Sequence, residues 1–407
     1  MKTVLLIAYY YPPVLNIAAR RPGCMAKYLP EFGWRPLVVT REWTPENCPY
    51  DQDFVHNLAT DHVAAAVPHE GYHLRYSLRE RIERYLWPGT YPADWTRGVR
   101  RAISQVARKH HVDAVWATCA PYSDLTIAEA CSRELSIPWV ADFRDVPGQQ
   151  GASENLDLAL RRLRLVPLEK RLVRSAAATT TVSDGLAEIL RRRHGRDVAV
   201  IPNGFDPDDY AAGPAPGDGK FVILYAGTLC AHRNPRPLFE AVDMLLRRGD
   251  VAAGDVSLRF YGGSSTEAAE AARACLSHGI VEGHAPVPHG DMIRLEQSSA
   301  ALLVLGCEGG KGVLTGKLLE YVGARRPILA VPNDHDCIEA MLRETSAGVS
   351  CSTPDEIAAQ LLEWYREWKQ TGTVACRSDE GTISKYSRKR QAAQLADVLN
   401  AIVGQRG

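Results

Sequence analysis

Thr315-Gly316-Lys317-Leu318-Leu319-Glu320-Tyr321 gathers small residues, a lysine and a glutamate just ahead of the apolar run Ile328–Val331. A small-residue loop that opens a short helix leaves the first backbone N–H groups without partners, and such N-termini take anions. Lys317 falls in the first turn, where its charge opposes the helix dipole, so a bound phosphate would give it a partner. Glu320, one turn further on, is placed to accept hydrogen bonds from sugar hydroxyls. The pattern fits a nucleotide-sugar grip, with amides and lysine for a diphosphate and a carboxylate for a ribose. The same residues also describe an ordinary amphipathic helix with a solvated Lys and Glu, and the motif alone does not choose between these readings.

The elements that must position these residues are those of an α/β chain. Short apolar runs alternate with longer amphipathic stretches, the pattern of parallel sheets covered by helices. Strands are expected at Val4–Tyr9, Pro36–Thr40, Ala114–Thr118, Trp139–Phe143, Ala178–Val182 and Ala199–Ile201. In the second half they fall at Phe221–Ala226, Val256–Tyr261, Ile280–Glu282, Ala300–Leu305 and Ile328–Val331. Helices are expected at Ile17–Phe32, Trp95–His110, Leu125–Leu135, Leu156–Ser175, Asp184–His194, Pro237–Arg248 and Asp336–Thr345. The Pro/Gly/Asp-rich stretch Asp206–Lys220 reads as a linker. The expected division is therefore a domain over 1–205, a linker over 206–220, a domain over 221–381 and a C-terminal helical segment over 382–407. In that segment Leu395, Val398, Leu399 and Ile402 share one apolar face at helical spacing. Residues 45–95, with aromatics set between turn formers, are the least regular part, and loops of this kind carry substrate contacts or cover the core.

A chain of 407 residues is long for a single core, which agrees with two domains. Its 48 basic and 48 acidic residues cancel, so no net field draws it to nucleic acid or to an anionic membrane. The ten cysteines are scattered, without Cys-x-x-Cys or zinc-site spacing, which suits a reducing compartment. The N-terminal apolar run ends in three Tyr and two Pro and is too short to span a bilayer, so it reads as a buried first strand. The expected location is cytoplasmic, with at most peripheral contact at the inner membrane surface; a lipid-linked acceptor would call for such contact through the basic stretches 80–105 and 161–174, whose charges otherwise read as solvated helix faces.

Seven stretches in order resemble the retaining glycosyltransferases of family 4, in the branch that writes a Lys-Leu-x-Glu-Tyr donor motif and acts in cell-surface polysaccharide or secondary-metabolite biosynthesis. They are Tyr10-Tyr11-Pro12-Pro13 with Arg20 in the next helix, Ala141-Asp142-Phe143-Arg144-Asp145, and Thr181-Val182-Ser183-Asp184. The others are Ile201-Pro202-Asn203-Gly204-Phe205-Asp206, Tyr225-Ala226-Gly227-Thr228-Leu229, Phe260-Tyr261-Gly262-Gly263 and Gly316-Lys317-Leu318-Leu319-Glu320-Tyr321. The resemblance implies a GT-B fold: two Rossmann-like domains facing across a cleft, the C-terminal one holding a nucleotide-diphosphate sugar and the N-terminal one the acceptor. The last helix would cross back to the first domain.

Carried over by residue, the donor side comprises Gly227, Thr228, Arg233, Gly312, Thr315, Gly316, Lys317 and Glu320. Glu320 matches the second glutamate of the family's Glu-x7-Glu pattern, the ribose ligand. Gly312 stands where the first glutamate would be, with Glu308 out of register, so backbone amides of the glycine-rich loop would meet the transferred sugar instead. Arg233 would neutralise the diphosphate leaving group together with Lys317. The acceptor side comprises Asn16, Arg20, Thr118, Tyr122, Asp142, Arg144 and Asp145. Asp142 either orients an acceptor hydroxyl or belongs to an internal salt bridge, and both readings stand. No histidine follows the fourth strand in register, and Cys119 lacks the His/Asn companions of a nucleophile. Asp206, Asp208 and Asp209 mimic an Asp-x-Asp metal motif but follow Pro-Asn-Gly, where Asp forms turns. No metal and no other cofactor is expected. The acceptor would be a small molecule, an oligosaccharide or a lipid-linked sugar.

The expected mechanism is departure of the sugar through an oxocarbenium-like state, with front-face attack giving retention and a donor phosphate oxygen taking the acceptor's proton. A nucleotide-sugar 2-epimerase of the same fold, or a silent nucleotide-sugar-binding partner of another transferase, are the competing readings. A nicotinamide oxidoreductase is disfavoured because Gly-x-Gly-x-x-Gly does not follow the first strand.

Overall fold

In the computed structural model, residues 1–14, 16–44, 62–68, 93–119, 121–146, 156–229, 233–263, 270, 279–306 and 316–404 are described. The chain divides into two compact units, Met1–Asn203 with Arg388–Gly407, and Gly204–Ser387.

The first unit is built on seven parallel strands. They are β1 (Lys2–Ala8), β2 (Trp34–Arg41), β3 (Val63–Val67), β4 (Ala114–Cys119), β5 (Trp139–Phe143), β6 (Ala178–Thr181) and β7 (Ala199–Val200). Their spatial order is β3-β2-β1-β4-β5-β6-β7. In β1, Leu5 and Ile7 enter one apolar cluster and Val4 and Leu6 the other. Side chains alternate across a strand, so this split means that both faces of the sheet are covered, as parallel sheets require. The helices α1 (Ile17–Tyr28), α2 (Ala93–Lys109), α3 (Tyr122–Leu135), α4 (Leu156–Ser175) and α5 (Asp184–His194) complete the chain's first pass.

The second unit repeats this scheme with six parallel strands. They are β8 (Phe221–Ala226), β9 (Val256–Tyr261), β10 (Val281–His284), β11 (Ala301–Leu305), β12 (Ile328–Val331) and β13 (Gly348–Ser350), in the order β10-β9-β8-β11-β12-β13. Its helices are α6 (Arg236–Arg248), α7 (His289–Ser298), α8 (Gly316–Ala324), α9 (Cys337–Thr345), α10 (Pro354–Thr371) and the short α11 (Glu380–Ser384). The α/β class and the two Rossmann-like units expected from the sequence are therefore present. Strands β3 and β13 were not anticipated; each is a short edge strand.

Two details differ from the sequence reading. The final segment is not one helix from 382. It is α11, then a break, then α12 (Arg388–Gly404), which belongs to the first unit. Asp379 caps α11 through the Thr382 N–H, and Phe205 pairs with Ser387 at the break, so backbone groups there bond outside a helix. Along α12, Leu395, Leu399 and Ile402 are buried and Val398 packs beside them, so the expected apolar face is used.

The stretch expected as a linker also starts differently. Pro207–Tyr210 forms a 3-10 turn inside the second unit, capped by the Asp206 side chain. The Tyr210 hydroxyl donates to the Glu320 carbonyl at 2.6 Å. Gly323 makes room for that ring, since a Cβ there would stand 2.5 Å from Tyr210 Cζ. The Gly323→Ala variant should lose about 1–3 kcal/mol from overpacking, and Tyr210→Ala should relieve part of that loss in the double variant. Urea unfolding of the three variants checks this; additive losses would contradict the contact.

Candidate functional site

In an open parallel sheet the ligand crevice lies beyond the carboxyl ends of the strands, where the strand order reverses. In the second unit this is between β8 and β11, neighbours whose next strands lie on opposite sides. Gly227 and Thr228 follow β8 directly. The Thr228 carbonyl accepts from the Tyr225 hydroxyl at 3.2 Å and faces Arg233 Nη1 at 3.5 Å. Arg233 thus lies back over the loop at the end of β8. Gly262, just past β9, has φ +141, and a Cβ there would meet the Gly227 carbonyl oxygen at 2.4 Å. The loops after β8 and β9 touch through a contact that only glycine permits.

Helix α8 comes to the same place. The Tyr321 hydroxyl accepts the Ala226 N–H at 2.8 Å, fixing α8 to the last residue of β8. Tyr321 is fully buried, and burial, reinforced by the nearby Glu296 charge, pushes its pKa well above the ordinary phenol value. Gly316, Lys317 and Glu320 are carried on α8. Glu320 is buried, and its Oε2 lies 2.9 Å from Lys317 Nζ. Lys317 also meets Glu296 Oε1 of α7 at 3.5 Å. Two of the partners that the structure gives Lys317 are thus carboxylates. Gly312 and Thr315, together with Glu308, lie outside the described residues. Gly227, Thr228, Arg233, Gly316, Lys317 and Glu320 are otherwise brought to one end of one sheet.

The acceptor-side candidates gather around the ends of β1, β4 and β5 in the first unit, but two change role. Asp142 is fully buried on β5 and salt-bridged edge-on to Arg21 of α1, with Oδ1–Nη2 2.8 Å and Oδ2–Nε 2.9 Å. The Thr118 and Thr180 hydroxyls donate to the same carboxylate, each at 2.7 Å. Four donors fill the carboxylate's acceptor capacity. Arg21 Nη1 donates onward to the Ile201 and Pro202 carbonyls at 2.9 and 3.2 Å. Asp142 and Thr118 are therefore members of an internal ion-pair cluster and present no group to an acceptor, which corrects their expected catalytic and binding roles. The sequence reading named Arg20 and missed Arg21. Helical phase against the buried face was the available signal, because Arg21 lies between buried Ala19 and Pro22.

The other candidates are tied to the local backbone. Asn16 caps α1 by accepting the Ala18 N–H at 2.8 Å. Arg144 donates to the Cys119 carbonyl at 2.5 Å and the Ala18 carbonyl at 2.8 Å, clamping the end of β4 to the first turn of α1. The Tyr122 hydroxyl meets the Asp145 carbonyl at 3.4 Å, while Arg20 is half-buried and Asp145 exposed. Burial pushes the Cys119 thiol up to about 12, so it is protonated and inert at neutral pH. Asp206 accepts from the Asp208 N–H, the behaviour of a turn former, while Asp209 pairs with His289 of α7 at 3.0 Å.

Residues 18–204 match the glycosyl transferase 4-like domain family. That span covers nearly all of the first pass of the chain through its first unit and a little under half of the whole. No curated protein sequence matches the chain. Among solved structures, HepE of Anabaena, in complex with UDP and glucose, is similar at TM-score 0.61 and 14% identity, covering 98% of this chain and 100% of that one. A glycosyltransferase from Rickettsia africae gives TM-score 0.64 and 12% identity over 99% and 98%. A Listeria monocytogenes protein described as a UDP-N-acetylglucosamine 2-epimerase gives 0.60 and 13% over 100% and 98%. At these identities the likeness is one of fold. No helix among the described residues is long and apolar enough to cross a membrane.

Two buried acids of the first unit respond oppositely to pH. Burial alone would raise Asp142, but the Arg21 charge and its hydrogen bonds outweigh this and hold it below the usual carboxylate range. Its stabilisation is present above the unfolded value of about 3.9 and is lost as pH falls through the folded value. Asp124 accepts from the Tyr9 N–H at 2.7 Å and Trp95 Nε1 at 2.8 Å, yet burial raises it to about 7. Between about pH 4 and that value the folded form binds a proton that the unfolded chain has released, so stability falls as pH rises through this window. Asp124→Asn should flatten that slope in urea midpoints measured against pH; an unchanged slope would contradict the assignment.

Proposed function

We propose that the chain is a glycosyltransferase. It moves a sugar from a nucleotide-diphosphate sugar to an acceptor hydroxyl with retention of configuration, in cell-surface polysaccharide or secondary-metabolite biosynthesis. The observation that carries this reading is the Tyr321–Ala226 hydrogen bond. It holds the start of α8, with Glu320, at the end of β8, next to Gly227, Thr228 and Arg233. In this proposal Glu320 accepts the ribose hydroxyls. Arg233 and the N–H groups at the α8 terminus meet the diphosphate. The glycosyl transferase 4-like match over the first unit, and the UDP and glucose held by HepE, support the same class.

The chemistry follows from what the residues offer. Breaking the bond between the anomeric carbon and the diphosphate oxygen builds negative charge on the leaving group, and preorganised donors at that point supply the largest catalytic effect. Arg233 is the cation for that role. Asp142 is saturated and buried, so no general base is drawn from it. The departing phosphate oxygen takes the acceptor's proton as the new glycosidic bond forms on the same face. Asn16, Arg20, Tyr122, Arg144 and Asp145 shape the acceptor side, and no metal is invoked.

Thermal shift with UDP, GDP, ADP, CDP and dTDP tests the donor site. One diphosphate should raise the melting temperature of the wild type. Glu320→Ala should bind it about ten- to a hundredfold more weakly, as expected for loss of a charged hydrogen-bonding partner. No shift with any diphosphate would contradict the proposal, and interconversion of the donor sugar without acceptor would replace transferase by 2-epimerase.

A further inference from the structure

Glu296 has no part in the reading above, yet it is fully buried at the site. It occupies the last turn of α7, where the helix dipole disfavours an acid. Its partner Lys317 stands in the first turn of α8, where the dipole disfavours a base. Each residue is thus set against its own helix, and the two meet with Oε1–Nζ 3.5 Å. Glu296 is fully buried while the Lys317 side chain is 37% exposed, and ion pairs reached by solvent add little stability, so stability does not account for the pair.

Its effect is felt at Glu320. A glutamate's terminal torsion is broad and leaves the carboxylate free to turn, whereas gripping two neighbouring hydroxyls requires one fixed orientation. A lysine stem is flexible and carries a single point charge, so Lys317 alone would be a loose clamp. Glu296 draws the ammonium from the buried side, while Lys317 Nζ holds Glu320 Oε2 at 2.9 Å. Glu296 also stands close enough to Tyr321 to act on its hydroxyl, the group that fastens α8 to β8.

We propose that Glu296 is a positioning residue for nucleotide recognition, acting through Lys317 to hold the Glu320 carboxylate in the orientation that receives the ribose hydroxyls. This rests on the donor site proposed above. It leaves Lys317 committed to the two carboxylates and assigns the diphosphate to Arg233 and the α8 amides.

Titration calorimetry with UDP and 2′,3′-dideoxy-UDP tests it on the wild type, Glu296→Gln, Lys317→Met and the double variant. If the thermal-shift panel selects another base, that diphosphate and its dideoxy form are used. Glu296→Gln and Lys317→Met should each weaken binding of the full nucleotide about tenfold, the size of one charged contact. Both should change dideoxy binding less than about twofold, and the double variant should be no weaker than Lys317→Met, because the two act as one unit. A merely structural residue would weaken both ligands alike. Equal losses for the two ligands, no loss, or additive losses would overturn the inference. Wild-type protein that binds no diphosphate would overturn the donor site itself, a result distinct from all of these. If Glu296→Gln melts below the titration temperature, Glu296→Asp takes its place with the same expectations, since it keeps the charge and shortens the reach.

Discussion

The reversal of strand order between β8 and β11 is the constraint on which the rest depends. Two parallel strands whose successors run to opposite sides leave a gap in helix cover above their carboxyl ends. Whatever fills that gap is a loop from one strand and a helix start from the next. Here the loop is Gly227-Thr228 and the helix is α8. The Tyr321 hydroxyl, bonded to the Ala226 N–H, removes the freedom between them. Tyr210 and Gly323 fasten the far side of α8, so the helix is held at both faces. A carboxylate on such a helix is placed to within a side-chain torsion.

The first unit has a reversal of its own, between β1 and β4, and spends its charged residues differently. Arg21 and Asp142 satisfy one another and two threonine hydroxyls in a site closed to solvent, and Arg21 reaches on to the carbonyls that follow β7. A pair of this kind ties α1, β4, β5 and β6 together and has no group left to offer. In the function proposed above, that disposition leaves leaving-group stabilisation and the phosphate's own oxygen to carry the reaction.

Much of the fold was legible because parallel strands buried on both faces write themselves as continuous apolar runs. Trp139–Phe143, Phe221–Ala226, Val256–Tyr261 and Ile328–Val331 were read to the residue. Val63–Val67 and Gly348–Ser350 were not, since short edge strands are only half-buried and carry few large apolar residues. Helix α10 escaped notice although Thr353 and Glu356 form a capping box ahead of it, a signal present in the sequence. Among the candidate site residues, Lys317 and Glu320 were named from local spacing. Glu296 and Arg21 were not, because each matters through a partner distant in sequence. A glutamate in Leu-Glu-Gln-Ser reads as solvent-facing until the fold places Lys317 beside it. The same limit applied to Asp142: the pattern showed a polar cluster at a strand end, but only the fold shows that all of its acceptor capacity is filled from within.

Hydrogen–deuterium exchange with and without saturating UDP, or the diphosphate of whichever base binds, tests the central claim directly because it reads location as well as binding. Amides compete between water and ligand, so a diphosphate seated at the switch point should slow exchange in peptides covering Gly227-Thr228 and Gly316–Tyr321. Peptides covering Arg21, Thr118 and Asp142 should be unchanged. Slowed exchange confined to the first unit, with Gly227-Thr228 and Gly316–Tyr321 unaffected, would contradict the account.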